Sequence, residues 1–338
     1  MLRRASGIAY ARVGLLGNPS DGYGGQAIAF SLCNFRARVA IEASDRFALH
    51  PGPSDLHAFA SLPQACRAFA AVGCDDGVRL LRAAILGFAG HTGVLERVAD
   101  SDPRLRFEMR YETDIPRQVG LSGSSAIVIA ALRALMAWFE IEIEPATLAE
   151  LALTAEVVDL GIPAGPMDRV VQAYGGLMRM DLREPRSQAS YARMDPACLP
   201  PLFVAWDPRG GQASSVAHGE LRARWRSGDP EVRRVMQSLR ELVDAGTTCL
   251  ERGDRAGFCE LVNHNFELRS QIFDISERDR EMIAIARTHG AAAKLCGSGG
   301  AVVGIPQEES DTDELAQIYR RAGFDLVHPE LAVGADGD

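Results

Sequence analysis

The chain has 338 residues, of which 47% are hydrophobic and 24% charged, and its formal net charge is −9. This composition is typical of a globular protein, and the acidic balance argues against a broad nucleic-acid-binding face, which needs a basic patch. The longest apolar run, residues 127–132, is too short to cross a bilayer, and the first residues lack the apolar core of a secretion signal. We therefore expect a cytoplasmic protein without nucleic-acid or membrane partners.

A chain of this length favours two domains. The polar stretch at residues 183–190 predicts the boundary, which gives an N-terminal domain over 1–185 and a C-terminal domain over 186–338. Seven cysteines without a Cys-x-x-Cys pair indicate reduced thiols. Among the 36 basic residues there is a single lysine, Lys294.

The N-terminal half mixes predicted strands and helices. In chain order these are strands over 9–17, 27–33 and 37–42, a helix over 75–90, a strand over 104–112, helices over 125–139, 145–160 and 167–174, and a strand over 176–181. The second and third strands are predicted to pair with each other.

The C-terminal half is richer in predicted helices. These cover 229–252, 255–272 and 277–289, and they are followed by a Gly-rich loop at 294–300, a strand at 301–305, a helix at 311–322 and a strand at 324–328. This arrangement predicts an α+β second domain with antiparallel strands.

The most informative segment is the Gly/Ser loop at residues 116–126, between an alternating strand and an apolar helix. Unpaired N–H groups and the helix dipole attract anions at such a point, and Gly120 and Gly123 let the backbone approach them. An ordinary N-cap turn has the same composition, and the Gly-Lys-Ser/Thr of a Walker A loop is absent. The loop alone therefore leaves phosphate binding and simple capping open.

Three other segments place polar groups in Gly-rich loops. Residues 12–25 end a strand in a loop that carries Asp21, and residues 293–301 hold Lys294 beside several glycines. Between them, Glu156 closes one predicted helix and Asp168 opens the next, around a Gly/Pro loop. Each segment by itself is also consistent with turn and capping chemistry.

Together, the order and spacing of these segments resemble the GHMP kinases, a family of small-molecule kinases that includes galactokinase, homoserine kinase and mevalonate kinase. The resemblance covers nearly the whole chain. It implies a two-domain α+β fold, with an N-terminal mixed α/β nucleotide-binding domain and a C-terminal α+β domain built on an antiparallel sheet. Within the family, residues 14–25, 120–127, 263–266 and 291–302 look most like the glucuronokinase branch.

The resemblance implies roles for individual residues. Asp168 would be the catalytic base and Arg12 the cation beside it, and Ser125 and Glu156 would hold Mg²⁺. The implied nucleotide-binding residues, which would wrap the phosphates of ATP, are Gly120, Leu121, Ser122, Gly123, Ser124, Ser125 and Ala126. The implied substrate-binding residues are Asp21, Gly22, Tyr23, Asp168, Gly297, Ser298 and Gly299, of which Gly297–Gly299 belong to a loop that would pack beside the first one.

Two departures from the family pattern bear on these roles. The first loop is one residue longer than the commonest form, so Ser124 is the alternative to Ser125 at the metal. Residues 18–20, Asn-Pro-Ser, replace the Glu-His-Thr of galactokinases, which argues against galactose.

The implied activity is ATP- and Mg²⁺-dependent phosphorylation of the anomeric hydroxyl of a sugar acid, D-glucuronate, to glucuronate 1-phosphate. Alternatives are a kinase for galactose, arabinose, galacturonate or a heptose, a non-catalytic sugar or nucleotide sensor, and an ATP-dependent decarboxylase. A carboxylate on the substrate calls for an arginine partner, for which Arg222, Arg224 and Arg269 are candidates. We expect a monomer or a homodimer.

Overall fold

The computed structural model describes residues 3–50, 58–72, 78–183, 189–210, 214–308 and 312–331. The chain forms two compact units, each made of separate stretches of sequence. The first comprises Met1–Tyr10, Phe35–Ile115 and Gly123–Ala164, and the second comprises Ala11–Asn34, Pro116–Ser122 and Gly165–Asp338. The predicted domain boundary falls partly on residues 184–188, outside the described residues, and stays a prediction.

The first unit combines a mixed sheet with a layer of helices. Its strands are β1 (Arg4–Leu16) and β2 (Gln26–Ala43), which both continue into the second unit, and β3 (Phe47–His50), β4 (Ala58–Phe59) and β5 (Phe107–Thr113). Its helices are α1 (Leu62–Val72), α2 (Arg79–Thr92), α3 (Val94–Arg97), α4 (Gly123–Phe139) and α5 (Pro145–Thr154), and a π-helical turn follows over Ala155–Asp159.

The strands of this unit are ordered β4-β3-β5-β2, and β1 also pairs with β2. In the part of this unit that the structure describes, β3 pairs with β5 in parallel, whereas the pairs β2–β5 and β3–β4 are antiparallel. Helix α4 is apolar on most of its surface because it packs against α2 and α5 as well as the sheet. On the sheet side, a side chain at Gly7 of β1 would lie 2.2 Å from the Ala130 carbonyl. The absence of a side chain at Gly7 therefore allows the two backbones to meet.

The second unit contains two antiparallel arrangements of strands. Its strands are β6 (Leu177–Asp181), β7 (Ser190–Met194), β8 (Phe203–Trp206), β9 (Ala292–Leu295), β10 (Ala301–Ile305) and β11 (Asp325–Val327). Its helices are α6 (Met167–Tyr174), α7 (Ser214–Arg226), α8 (Pro230–Arg252), α9 (Arg255–Ser270), α10 (Glu277–Thr288) and α11 (Thr312–Arg321).

Strand β6 lies between β2 and β7, and a separate four-stranded sheet has the order β11-β8-β10-β9. The apolar faces of α8, α9 and α10 pack against this second sheet and form a buried core. The core includes Phe203, Leu239, Phe266, Met282 and Val302. The predicted combination of a mixed α/β part and an antiparallel α+β part is confirmed.

Three details differ from the sequence prediction. The strands predicted over 27–33 and 37–42 are one long strand, β2, whose first part pairs with β6 and whose last part pairs with β5. Lys294 lies on β9 rather than in a loop. The helix predicted over 145–160 changes to the π-helical turn after Thr154.

Other differences concern elements that the sequence patterns did not predict. These elements are strands β3, β4, β7 and β8 and helices α1, α3 and α7. The four strands and α3 have at most five residues each, whereas α1 and α7 are longer and were missed as well. The starts of the helices predicted at 75 and 311 fall outside the described residues. In the part of the chain that the structure covers, no helix has the length and apolarity needed to span a bilayer.

Candidate active site

Arg12 and Asp168 form the central ion pair of the second unit. Arg12 lies on β1 with its side chain 4% exposed, and Asp168 lies in the first turn of α6 with 18% exposed. The Arg12 Nη2 and Asp168 Oδ1 atoms are 2.5 Å apart. Arg12 Nη1 donates to the carbonyls of Gly120, at 3.1 Å, and Cys296, at 2.9 Å. The guanidinium therefore joins the carboxylate to both Gly-rich loops.

The environment of Asp168 keeps its carboxyl ionised. Burial alone raises the pKa of this group, but the charges of Arg12 and Arg169 and the hydroxyl of Ser122 outweigh burial and hold the pKa below its ordinary value. Ser122 Oγ donates to Asp168 Oδ2 at 2.7 Å. One turn later on α6, Gln172 Nε2 donates to the Ser122 carbonyl at 3.0 Å. Helix α6 therefore fixes both Asp168 and the residue that contacts it.

Asp21 is a second buried carboxyl beside Asp168. It lies on a short 3-10 turn, Ser20–Tyr23, and is 8% exposed. Burial raises the pKa of Asp21 from 3.8 to about 7, and the charge of Asp168 adds to this rise, whereas Arg12, Arg169 and the Met167 N–H oppose it. The two carboxyls have pKa values displaced in opposite directions, which is typical of groups with different chemical roles.

The two Gly-rich loops of the second unit, at residues 120–122 and 297–300, lie against each other. Gly120 has φ +70°, and a Cβ there would be 2.8 Å from the Gly299 carbonyl oxygen. A Cβ at Gly297 would be 2.1 Å from the Gly120 carbonyl oxygen. Only glycine allows this approach of one backbone to the other.

Two helices hold the second loop in place. Asp279, on α10, accepts the Gly300 N–H through Oδ1 at 2.7 Å and the Ser276 hydroxyl through Oδ2 at 2.8 Å. Arg269, on α9, donates through Nη2 to the Ser298 carbonyl at 3.3 Å. Asp279 and Arg269, on the two helices that precede β9 in the chain, thus help to fix the position of residues 297–300.

The side chain of Lys294 donates its hydrogen bonds to protein oxygen atoms of the described residues. Its ammonium is fully buried and donates to the Gly14 carbonyl, Asn18 Oδ1 and the Leu295 carbonyl, each at 2.7 Å. Burial lowers the pKa of Lys294 to about 7. These contacts join β9 to the end of β1 and to Asn18 in the loop that follows it, so the expected electrostatic task of this lysine is internal to the second unit.

In the first unit, the carboxylate of Glu156 meets the hydroxyl of Ser124. Ser124 Oγ donates to Glu156 Oε1 at 2.7 Å, and Glu156 and Ser125 are both fully buried. Glu156 lies in the π-helical turn after α5, and both serines lie in the first turn of α4. The structure therefore places a carboxylate and a hydroxyl side by side.

The remaining predicted residues occupy the same segments. Gly22 and Tyr23 share the 3-10 turn with Asp21, Leu121 accepts the Arg12 N–H, and Ala126 is buried in α4. Burial raises the pKa of Tyr23 to about 12, and its ring packs on Trp225 with centroids 5.1 Å apart. Among the arginine candidates, Arg224 is engaged by Asp229 and Glu231, whereas Arg269 is buried.

Comparison with known proteins identifies the family. The model of the GHMP kinase N-terminal domain matches residues 85–176, and that of the GHMP kinase C-terminal domain matches residues 247–325. Glucuronokinase 1 of Arabidopsis thaliana is 37% identical over 96% of this chain and 91% of its own length. Probable glucuronokinase 2 of the same plant is 38% identical over 95% and 89%.

The chain belongs to the GHMP kinase family.

This GHMP kinase is a phosphotransferase with an alcohol group as acceptor, and it is similar to the family's sugar kinases. GHMP kinases use ATP as the phosphate donor. The fold agrees, since Lactococcus lactis galactokinase complexed with galactose superposes with a TM-score of 0.76 at 13% identity, over 98% of this chain and 94% of that one.

Sequence reasoning missed several residues that shape the site of this GHMP kinase. Arg169 is 3% exposed and lies 3.4 Å from Asp168, Asp279 holds the loop at residues 297–300, and Asn265 anchors the loop that follows β1. Arg169 could have been found because it directly follows Asp168. Asp279 carries no comparable signal, because its contacts to the loop are with a remote segment. Asn265 lies in the segment 263–266 that resembles glucuronokinases, but the resemblance gave it no role.

Proposed function

We propose that this GHMP kinase phosphorylates the anomeric hydroxyl of D-glucuronate with ATP and releases glucuronate 1-phosphate and ADP. The two plant relatives support this choice, because they match about nine tenths of both chains. The observation that carries the proposed chemistry is the ionised carboxylate of Asp168, held between Arg12 and Arg169.

In the proposed reaction, the sugar's anomeric oxygen forms a bond to the terminal phosphorus of ATP, and the bond from that phosphorus to the bridging oxygen of ADP breaks. Asp168 accepts the proton of the hydroxyl. A low pKa makes Asp168 a weak base, which suits phosphoryl transfer because the transition state needs positioning and charge stabilisation more than early proton removal. Arg12 stabilises the developing negative charge on the oxygen.

Residues Gly120–Ala126 are the proposed cradle for the phosphates of ATP. The segment enters the first turn of α4, where N–H groups lack helical partners and the helix dipole favours anions. Ser122, with φ +64°, turns the backbone just before the helix begins. The cradle is thus formed by backbone donors rather than by a lysine.

The side chains of Ser124 and Glu156 fit a magnesium ion, because Mg²⁺ prefers hard oxygen ligands and both offer them within hydrogen-bond distance of each other. Ser125, in the same helical turn, is the other candidate hydroxyl. When bound, Mg²⁺ would neutralise part of the charge on the phosphates. Glu156 is fully buried, so a cation beside it would also offset the cost of burying its charge.

For the sugar, we propose contacts from the 3-10 turn that carries Asp21, Gly22 and Tyr23 and from Gly297, Ser298 and Gly299. Asp21 is the proposed acceptor for a sugar hydroxyl. The electrostatic interactions of Asp21 with Asp168 and Arg12 support this proposal.

The test is a substrate panel with the purified protein, ATP and Mg²⁺. Glucuronate should give the highest kcat/KM among glucuronate, galacturonate, glucose, galactose, arabinose and a heptose, and ³¹P NMR should identify a sugar 1-phosphate. A higher kcat/KM for another sugar would overturn the glucuronate assignment. Release of CO₂ in place of a phosphorylated sugar would overturn the kinase reaction itself.

A further inference from the structure

Arg269 is a buried guanidinium that lacks a direct ionic partner. It lies on α9 and is 2% exposed, with its Cζ atom 4.5 Å from the centre of the Phe273 ring. Its hydrogen bond to the Ser298 carbonyl is long, at 3.3 Å, and its Nε has no partner among the described residues. Within those residues it also forms no direct ion pair. Burying such a charge is costly unless an anion meets it.

The nearest carboxyls compensate Arg269 only in part. Asp279 and Asp21 both interact favourably with its charge, whereas Arg12 repels it. Both oxygens of Asp279 already accept hydrogen bonds, from Gly300 and from Ser276. Asp21 has a pKa of about 7, so a substantial fraction of its carboxyl groups is neutral at physiological pH. The guanidinium keeps a pKa of about 10 despite burial and therefore stays charged.

The position of Arg269 on its helix connects it to both loops proposed to hold the sugar. Asn265 lies one turn earlier on the same face of α9 and bonds to the Gly17 N–H and the Asn18 carbonyl. That loop leads directly into the turn that carries Asp21. Arg269 itself contacts Ser298 in the second loop.

The other arginines near these loops are less suited to a ligand. Arg12 spends both terminal nitrogens on Asp168 and two carbonyls, and Arg169 bonds to the Gly165 carbonyl and pairs with Asp168. Arg222 is only half-buried, so water weakens its attraction for an anion. Arg12 also has a buried Nε without a hydrogen-bond partner, so the feature that sets Arg269 apart from Arg12 and Arg169 is that no carboxylate of the described residues lies at ion-pair distance.

We propose that Arg269 binds the carboxylate of the sugar acid and sets the preference for a uronate over the corresponding neutral hexose. This inference rests on the proposed function. A carboxylate that accepts charge-assisted hydrogen bonds from Arg269 would supply the missing counterion in a site from which water is largely excluded. A neutral sugar would leave the guanidinium unpaired, and this difference produces the specificity.

The test compares glucuronate with its uncharged amide, glucuronamide, in the wild type and in Arg269→Gln and Arg269→Lys variants. In the wild type, kcat/KM should be higher for glucuronate. Arg269→Gln should reduce that ratio by roughly 10- to 100-fold, as expected for loss of a hydrogen bond to a charged group. Arg269→Lys should reduce it less, because it keeps the charge but loses the planar fork.

Arg287→Gln is the matched control, since the Arg287 guanidinium also lies over a phenylalanine ring, at 5.2 Å from Phe266, but is half-buried and paired with Glu267. It should leave the ratio unchanged. An equal fall of kcat/KM for both substrates in the Arg269 variants would mean that Arg269 only positions the loop, and would overturn the inference. If Arg269→Gln does not fold, the same ratio of kcat/KM values measured for Arg269→Lys tests the inference. A wild type without preference for glucuronate over glucuronamide would also overturn the inference, whereas a wild type that phosphorylates neither compound would overturn the proposed function.

Discussion

Two aspartates of the second unit differ in protonation because their surroundings differ. Asp168 has two guanidinium groups and a serine hydroxyl as partners, and together they overcome the effect of burial on its pKa. Asp21 shares the same arginines at greater distance and faces the charge of Asp168, so burial dominates and its pKa rises to about 7. Two identical side chains in one site thus differ in charge: Asp168 is ionised, whereas Asp21 gains and loses its proton near pH 7.

Replacement of Asp21 by asparagine should stabilise the fold increasingly as pH rises. Below pH 4 the carboxyl is protonated in both folded and unfolded chains. Between about pH 4 and 7 only the unfolded chain releases the proton, so the free energy of unfolding of the wild type falls with rising pH, and the loss is complete above about 7. The variant lacks this decline.

Thermal unfolding at pH 5 and pH 8 checks this prediction. The Tm of Asp21→Asn minus that of the wild type should be larger at pH 8, by several degrees, since about 1 kcal/mol corresponds to about 2–4 °C in domains of this size. The same variant should lose activity, because Asp21 is the proposed sugar ligand. Equal Tm differences at the two pH values would show that Asp21 titrates normally.

At the scale of elements, strand β9 and the loop after β1 are joined by one side chain. Three oxygen atoms, two of them backbone carbonyls, converge on the Lys294 ammonium at 2.7 Å each. A compact ammonium directs its three donors to such a tripod, whereas a planar guanidinium is larger and directs its donors within a plane. This geometry explains why the one lysine of an arginine-rich chain stands at this position.

Lys294→Arg should therefore destabilise the protein although both side chains are basic. The larger side chain has no space in a fully buried position, and overpacking of this kind costs about 1–3 kcal/mol. Denaturant unfolding measures the loss as a lower midpoint. The control is the reverse change at an exposed position, Arg4→Lys, which should alter stability by less than about 0.5 kcal/mol. Equal midpoints for Lys294→Arg and the wild type would refute the tripod account.

For the molecule as a whole, the charges of the second unit indicate a site prepared for anions. In its described part, the cluster of interacting groups contains three buried arginines, Arg12, Arg169 and Arg269, and Lys294, whose pKa is about 7. It also contains three carboxyls, Asp21, Asp168 and Asp279, of which Asp21 has a pKa of about 7. Buried charges are normally balanced. The excess of positive charge fits a kinase whose nucleotide is anionic and whose proposed sugar also carries a carboxylate.

The sequence allowed prediction of the features that are local in the chain. Gly120, Asp168 and Glu156 lie next to the ends of helices, and their residue types and order are sufficient to indicate the family and its chemistry. The long strand β2 was predicted as two strands because Asn34, Phe35 and Arg36 interrupt the pattern. The pairing with β6 over residues 26–30 and with β5 over residues 37–43 lies on either side of this interruption, and it could not be read from the sequence.

Contacts between remote segments were not predictable in the same way. Asp279, Asn265 and Lys294 act on loops far from them in sequence, and a single sequence carries no signal for such pairings. The burial of Arg269, which distinguishes it from Arg222 and Arg224, likewise depends on tertiary packing.

The central claim is that Asp168, ionised between Arg12 and Arg169, receives the proton of the phosphoryl acceptor. The most direct measurement is the kcat of Asp168→Asn with glucuronate, beside the Kd of the same variant for ATP. Loss of a general base costs about 10²- to 10⁴-fold in rate. We predict a fall of kcat of that size with nearly unchanged ATP affinity, whereas a kcat equal to that of the wild type would contradict the account.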